Sequence, residues 1–168
     1  LLAGYIVLMM ANKESWPVAK DILSMELVAL NTFILLVSSV TMVLSLHHLR
    51  RGDTERCNLY ILFTMILGAT FVGIQAIEWT ELIVHAGYTT SNSIFGASFF
   101  LLTGFHGFHV LAGVVYLSYM WVLSSLSSNE GDALMNEKRT LALEYTGLYW
   151  HFVDLVWIII FTVIYLMS

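Results

Sequence analysis

The sequence predicts an all-α, polytopic membrane protein: a bundle of four complete transmembrane helices, antiparallel to their neighbours, preceded by a truncated first helix. Three observations carry this. Hydrophobic residues make up 58% of the 168, and mean hydropathy is +0.80, against roughly 45–50% apolar in ordinary soluble domains. Seven Lys and Arg, gathered in short segments, are too few for the charged skin of a soluble protein of this size. Several apolar runs reach the about 20 residues that a hydrocarbon core about 30 Å thick demands.

The elements follow in chain order. Leu1 to Ala11 is apolar but too short to span. It lacks the basic flank and small-residue cleavage site of a signal peptide, and it reads as a helix whose beginning is missing, so residues 1–168 form one N-terminally incomplete transmembrane domain. The spans are expected at Met25 to Leu46, Leu59 to Val84, Ile94 to Leu123 and Leu141 to Met167. Polar separators divide them: Asn12 to Asp21 with Pro17, His47 to Asn58, Ala86 to Ser93, and Ser124 to Thr140. Such short connections make neighbouring helices antiparallel. Neither an internal repeat nor a soluble domain interrupts the pattern. A single cysteine, Cys57, excludes an intrachain disulfide and reads as a loop or helix-end thiol.

Charge orients the bundle. Arg50, Arg51, Arg56, Lys138 and Arg139 fall on one side, and only Lys13 and Lys20 on the other. The positive-inside rule then places the five-charge side in the cytoplasm or matrix and Ser168 outside. Arg50, Arg51, Lys138 and Arg139 are the candidate contacts for lipid headgroups. Trp16, Tyr88 and Tyr165 lie near segment ends, where interfacial aromatic belts form. The formal net charge of −5, without a basic patch, implies no nucleic-acid partner.

The residues that carry chemistry are those that apolar spans should lack: Glu78 in the third segment, His106 and His109 in the fourth, Glu144, His151 and Asp154 in the fifth. A carboxylate at a helix centre costs about 2.5–3.5 kcal/mol to insert, and one interhelical hydrogen bond returns on average about 0.6 kcal/mol. Each group therefore needs protonation, water or several partners. Residues three or four apart share a helix face. That rhythm gives four polar stripes: Asn31, Ser38, Ser45; Gly68, Phe71, Gln75, Glu78; His106, His109, Gly113; and Glu144, Gly147, His151, Asp154. Gly104 and Gly107 beside them are expected to let backbones approach. Three roles stand open for the stripes: helix-to-helix hydrogen bonding, a water or proton path, or metal and haem ligation. For Glu78, a structural bond and a functional carboxyl stand level, with Gln75 and Glu81 one turn either side to keep it hydrated. Ligation has the least support, because His106 and His109 share one helix without the second carboxylate–histidine helix of a di-iron bundle. A haem would need His151 as its facing ligand.

Four ordered motifs give these residues a family. Ala97 to Val110, reading ASFFLLTGFHGFHV, and Tyr149 to Trp157, reading YWHFVDLVW, resemble two hallmark helices of cytochrome c oxidase subunit III. Leu30-Asn31-Thr32 and Gln75-Ala76-Ile77-Glu78-Trp79 agree in order, as do His47-His48 and Gly52-Asp53. The similarity runs from about Asn12 to Met167. The resemblance implies a cofactor-free helical bundle bound to subunit I, which holds the haems and copper, with subunit II in the same complex. It further implies support for the proton-uptake entrance of subunit I, protection against inactivation during turnover, and phospholipid held in a cleft. Glu78, His106, His109, Glu144, His151 and Asp154 then form an intramembrane polar framework without catalytic groups or metal ligands. The membrane implied is the bacterial cytoplasmic or mitochondrial inner membrane. Many members have seven helices, and this sequence opens within what resembles the third, before which lie a well-known intramembrane carboxyl and half of the lipid cleft. Quinol oxidases and a nitric oxide reductase-associated homologue share the motifs. A small haem- or metal-binding membrane enzyme is the reading from a different class. A proton-coupled transporter would call for repeats with broken helices.

Overall fold

In the computed structural model the described residues are 1–13, 16–17, 25–85, 87–126 and 133–166, and their regular structure is helical. Helix α1 spans Leu2–Ala11, α2 Met25–Arg50, α3 Thr54–Val84, α4 Ile94–Leu126 and α5 Ala133–Phe161, which runs on into a π-helical turn at Thr162–Leu166. The four long helices have 26, 31, 33 and 29 residues, each long and apolar enough to cross a membrane. They close into a ring in which α2 packs on α3, α3 on α4, α4 on α5, and α5 back on α2, while α1 lies against α4. Lys20, Met167 and Ser168 lie outside the described residues.

All four spans are longer at one or both ends than the apolar runs predict. The polar residues His47 to Arg50, Thr54 to Asn58 and Glu137 to Thr140 are helical. Polar side chains are adequate helix formers, so leaving the hydrocarbon does not end a helix; only a backbone signal does. The α2–α3 junction has both a stop and a start. Gly52 adopts φ +77°, a left-handed conformation that glycine takes without a side-chain penalty. Its N–H donates to the Leu49 carbonyl at 3.0 Å and that of Asp53 to His48 at 3.0 Å, a Schellman closure. The Asp53 carboxylate then accepts from the Arg56 N–H at 3.1 Å, capping α3. Ser93 does the same for α4, accepting from the Gly96 N–H at 2.8 Å.

Along α2 the buried residues are Val28, Asn31, Leu35, Ser38, Met42 and Ser45; along α3 they are Cys57, Ile61, Thr64, Gly68, Phe71, Gln75, Glu78 and Leu82. Steps of three and four alternate throughout, which keeps one seam facing the partner helix. The opposite faces carry Phe33, Val40, Val43, Phe63, Ile66 and Ile77 outward. Lipid tails are as apolar as leucine, so this inversion of soluble patterning has little hydrophobic cost. Cys57 is fully buried in the first turn of α3 and does not stand in a loop.

Candidate functional site: the polar interior of the bundle

Tryptophans fasten the ring. The Trp150 indole of α5 donates to Ser38 Oγ of α2 at 3.0 Å, and Trp157 donates to Thr32 Oγ1 of α2 at 3.0 Å. Trp79 of α3 donates to Thr103 Oγ1 of α4 at 3.2 Å. The Trp150 ring also fills the space left by two glycines. A Cβ on Gly68 would stand 2.6 Å from its Cη2, and one on Gly113 2.8 Å from its Cζ3. One side chain of α5 thus touches the other three helices at mid-bundle. Gly104 lets the Trp79 ring approach, a Cβ there meeting Cη2 at 3.1 Å, whereas nothing packs within 4 Å at Gly107. The expectation of close approach at Gly107 is corrected: it lies off the buried seam.

Glu78 is buried at the far end of α3 from Arg56. Its Oε1 accepts from the Tyr165 hydroxyl at 2.7 Å and its Oε2 from Gln75 Nε2 at 2.8 Å. Tyr165 stands in the π-helical turn and is fully buried, so it is no interfacial belt residue; its hydroxyl is drawn inward by the carboxyl. Glu81 is exposed. Trp16 and Tyr88 both pack edge-on against Phe95, with ring centroids 5.5 Å apart.

The three intramembrane histidines have three different surroundings. His106 is buried, stacked on Trp157 at 4.8 Å and edge-on to Phe71 at 5.7 Å. His151 is half-buried between α5 and α2, with Nδ1 2.5 Å from Ser39 Oγ. Asp154 is buried one turn further along the same helix. His109 is exposed, with Nδ1 2.6 Å from the Phe105 carbonyl of its own helix. The expectation that His151 and Asp154 face the bundle agrees with these positions, and the hydrogen-bond partner of His151 is Ser39 of α2. On α4 the seam runs through His106, Val110 and Gly113, so His109 falls beside it. Asn31 donates to the Phe71 carbonyl at 3.2 Å. Its Oδ1, Gln75 Oε1, His106 Nε2 and Asp154 Oδ1 are buried without a hydrogen-bond partner among the described residues.

Polar groups at the other end tie helix termini together. Arg50 pairs with Glu144 at 2.6 Å, linking α2 to α5. Asn58 of α3 accepts from Ser124 of α4 and, at 3.3 Å, from Arg139 of α5. The basic residues of two separate loops therefore share one end of the bundle. Of the four candidate headgroup contacts, Arg50 and Arg139 are engaged within the protein, while Arg51 and Lys138 are exposed. No group of three or more His, Cys, Asp or Glu side chains placed to hold a metal occurs among the described residues.

A ring of apolar-faced helices around hydrogen-bonded polar seams defines an integral membrane bundle, and comparison with known proteins narrows the class. Residues 9–168 match the family model for cytochrome c oxidase subunit III. Cytochrome c oxidase subunit 3 of Bacillus sp. (strain PS3) is 35% identical over 168 residues, covering 100% of this chain and 77% of its own. The cytochrome bo(3) ubiquinol oxidase subunit 3 of Pseudomonas aeruginosa is 38% identical with the same coverage. Quinol oxidase subunit 3 of Bacillus subtilis (strain 168) is 36% identical over 169 residues, covering 100% and 78%. The chain belongs to the subunit III family of haem-copper oxidases. It is an integral membrane component of an oxidoreductase complex, and its partners are other subunits of that complex.

Proposed function

We propose that this chain is a supporting, non-redox subunit of a proton-pumping oxidase, packed chiefly against subunit I and sharing the complex with subunit II. The observation that carries the proposal is the dispersal of its polar groups. His106 lies against Trp157, His151 against Ser39, and His109 on the outer face of α4, so the three have separate surroundings. Glu78 and Glu144 each bond a neighbouring element, and Asp154 is buried against the bundle. The intramembrane groups act as a framework that holds four helices in register, and electrons pass through other chains. Haem and copper belong to the partner subunits, and phospholipid is bound at the surface, with Arg51 and Lys138 available for headgroups. The test is the pyridine haemochrome spectrum and metal content of the isolated chain beside those of the complex. We expect haem and copper to remain with the stripped complex. Stoichiometric iron, copper or zinc on this chain would overturn the proposal.

Cytochrome c is the donor we infer, in line with the description of the matching family. The 38% identity to a ubiquinol oxidase subunit supports a quinol-oxidising complex as the second reading. Oxygen uptake by the purified complex with reduced cytochrome c and with ubiquinol separates the two.

For orientation, we place the end bearing Arg50, Arg51 and Arg139 in the cytoplasm or matrix and the C-terminus outside, on the five-to-two distribution of basic residues. In a chain with Cys57 replaced by serine, a cysteine beside Arg51 should resist a membrane-impermeant maleimide added from outside. One beside Gly87 should react. The opposite labelling pattern would invert the topology.

A further inference from the structure

We infer that the α4–α5 face centred on His109 is the surface against which a transmembrane helix of another oxidase subunit docks, and that this helix presents a hydrogen-bond donor at mid-membrane depth. The inference rests on the proposed function for its partner and on the geometry of the face for its location. His109 stands near the midpoint of the 33-residue α4. Among the described residues it is the one His, Asp, Glu, Lys or Arg in the middle of the four spans that is exposed. Ionisable side chains at that depth almost always face protein or water, because lipid tails offer no hydrogen bond.

The ring is held so that one nitrogen points away from its own helix. A backbone carbonyl can only accept, so the 2.6 Å contact with the Phe105 oxygen commits Nδ1 as the donor. In the neutral ring Nε2 is then an acceptor, and the occupant must bring an N–H or O–H. Tyr149 of α5 fixes the same turn, its hydroxyl donating to the His109 carbonyl at 3.0 Å. Phe105 and Phe108 flank this polar centre, with ring centroids 6.4 and 6.0 Å from that of His109, and are 53% and 67% exposed; Tyr145 and Phe152, on either side of Tyr149 along α5, are 70% and 62% exposed. A polar group flanked by large exposed aromatic side chains is the anatomy of a protein interface. On the outer faces of α2 and α3 at comparable depth, Thr70 bonds the Ile66 carbonyl within its own helix, and its neighbours are aliphatic or Phe. That face asks nothing of its surroundings and suits lipid.

The experiment places the photo-crosslinker benzoyl-phenylalanine at Phe108, and separately at Phe33 on the opposite face, in the complete oxidase in native membranes. We expect Phe108 adducts to another oxidase subunit at several times the yield from Phe33, whose adducts should be mainly lipid. His109→Gln, which keeps an acceptor, should retain that subunit through detergent purification, and His109→Leu should lose most of it. Because His109 is exposed, both variants should yield a folded chain. Phe108 adducts confined to lipid, to a second copy or to this chain itself would overturn the inference while leaving the functional reading intact, as would equal retention by the two variants. Failure of any oxidase subunit to co-purify with the unaltered chain would overturn the functional reading first, and this inference with it.

Discussion

Substituting Gly68 is expected to damage the bundle severely, with alanine costing about 1–3 kcal/mol, the range for overpacking a filled core, and leucine preventing assembly. A Cβ at Gly68 would meet Trp150 Cη2 at 2.6 Å and Val114 Cγ2 at 2.9 Å. Neither neighbour can withdraw freely. Trp150 is pinned on its far side by Gly113 and through its indole by Ser38. Shifting the ring breaks that hydrogen bond and opens α5 from α2. Trp150→Phe removes the part of the ring that a Cβ at Gly68 would strike, so Gly68→Ala should be milder in that background than in the native one. Denaturant titration of the four chains in mixed micelles reads the coupling directly. Strict additivity would show that the two residues do not share the contact.

The second large effect concerns Glu78. Glu78→Leu should destabilise the end of the bundle where α3 finishes by about 1–3 kcal/mol for each donor left buried and unpaired, here the Tyr165 hydroxyl and the Gln75 amide. Glu78→Gln should be far milder. A glutamine can accept from Tyr165 through its oxygen, and Gln75 can turn its amide to present Oε1, which now has no partner among the described residues. Tyr165→Phe should fall between the two. Protease sensitivity of the C-terminal turn in detergent, compared across the three variants, gives the order. A leucine variant as stable as the glutamine one would mean that the carboxyl is not what holds Tyr165 inward.

The sequence period made much of this interior legible. The stripes Asn31, Ser38, Ser45 and Gly68, Phe71, Gln75, Glu78 are buried seams because alternating steps of three and four leave little freedom over several turns. The stripe His106, His109, Gly113 failed at one residue. His106 to His109 and His106 to Val110 both satisfy the spacing, and which follows the seam depends on where α5 sits. Tryptophan and tyrosine were ambiguous for a related reason. Near the end of an apolar run Tyr165 suits a membrane interface as well as a polar contact, so nothing local marked it as a donor to Glu78, and nothing local marked Trp150, in mid-span, as the residue joining the four long helices. The signal that could have found Trp150 was Gly68 and Gly113 on separate helices, two gaps that call for one large ring. Helix ends were misplaced because hydropathy reports where hydrocarbon stops, while Gly52 and Asp53 report where α2 stops and α3 starts.

On the proposed function, this chain supports oxygen reduction and carries no electrons. The most direct measurement is oxygen consumption by the complex with and without the chain, followed over many turnovers across pH. The depleted enzyme should keep its haem spectra, start near its normal rate at acidic pH, fall off more steeply at alkaline pH and inactivate during turnover. An enzyme dead from its first turnover, or one indistinguishable from the intact complex throughout, would contradict the account.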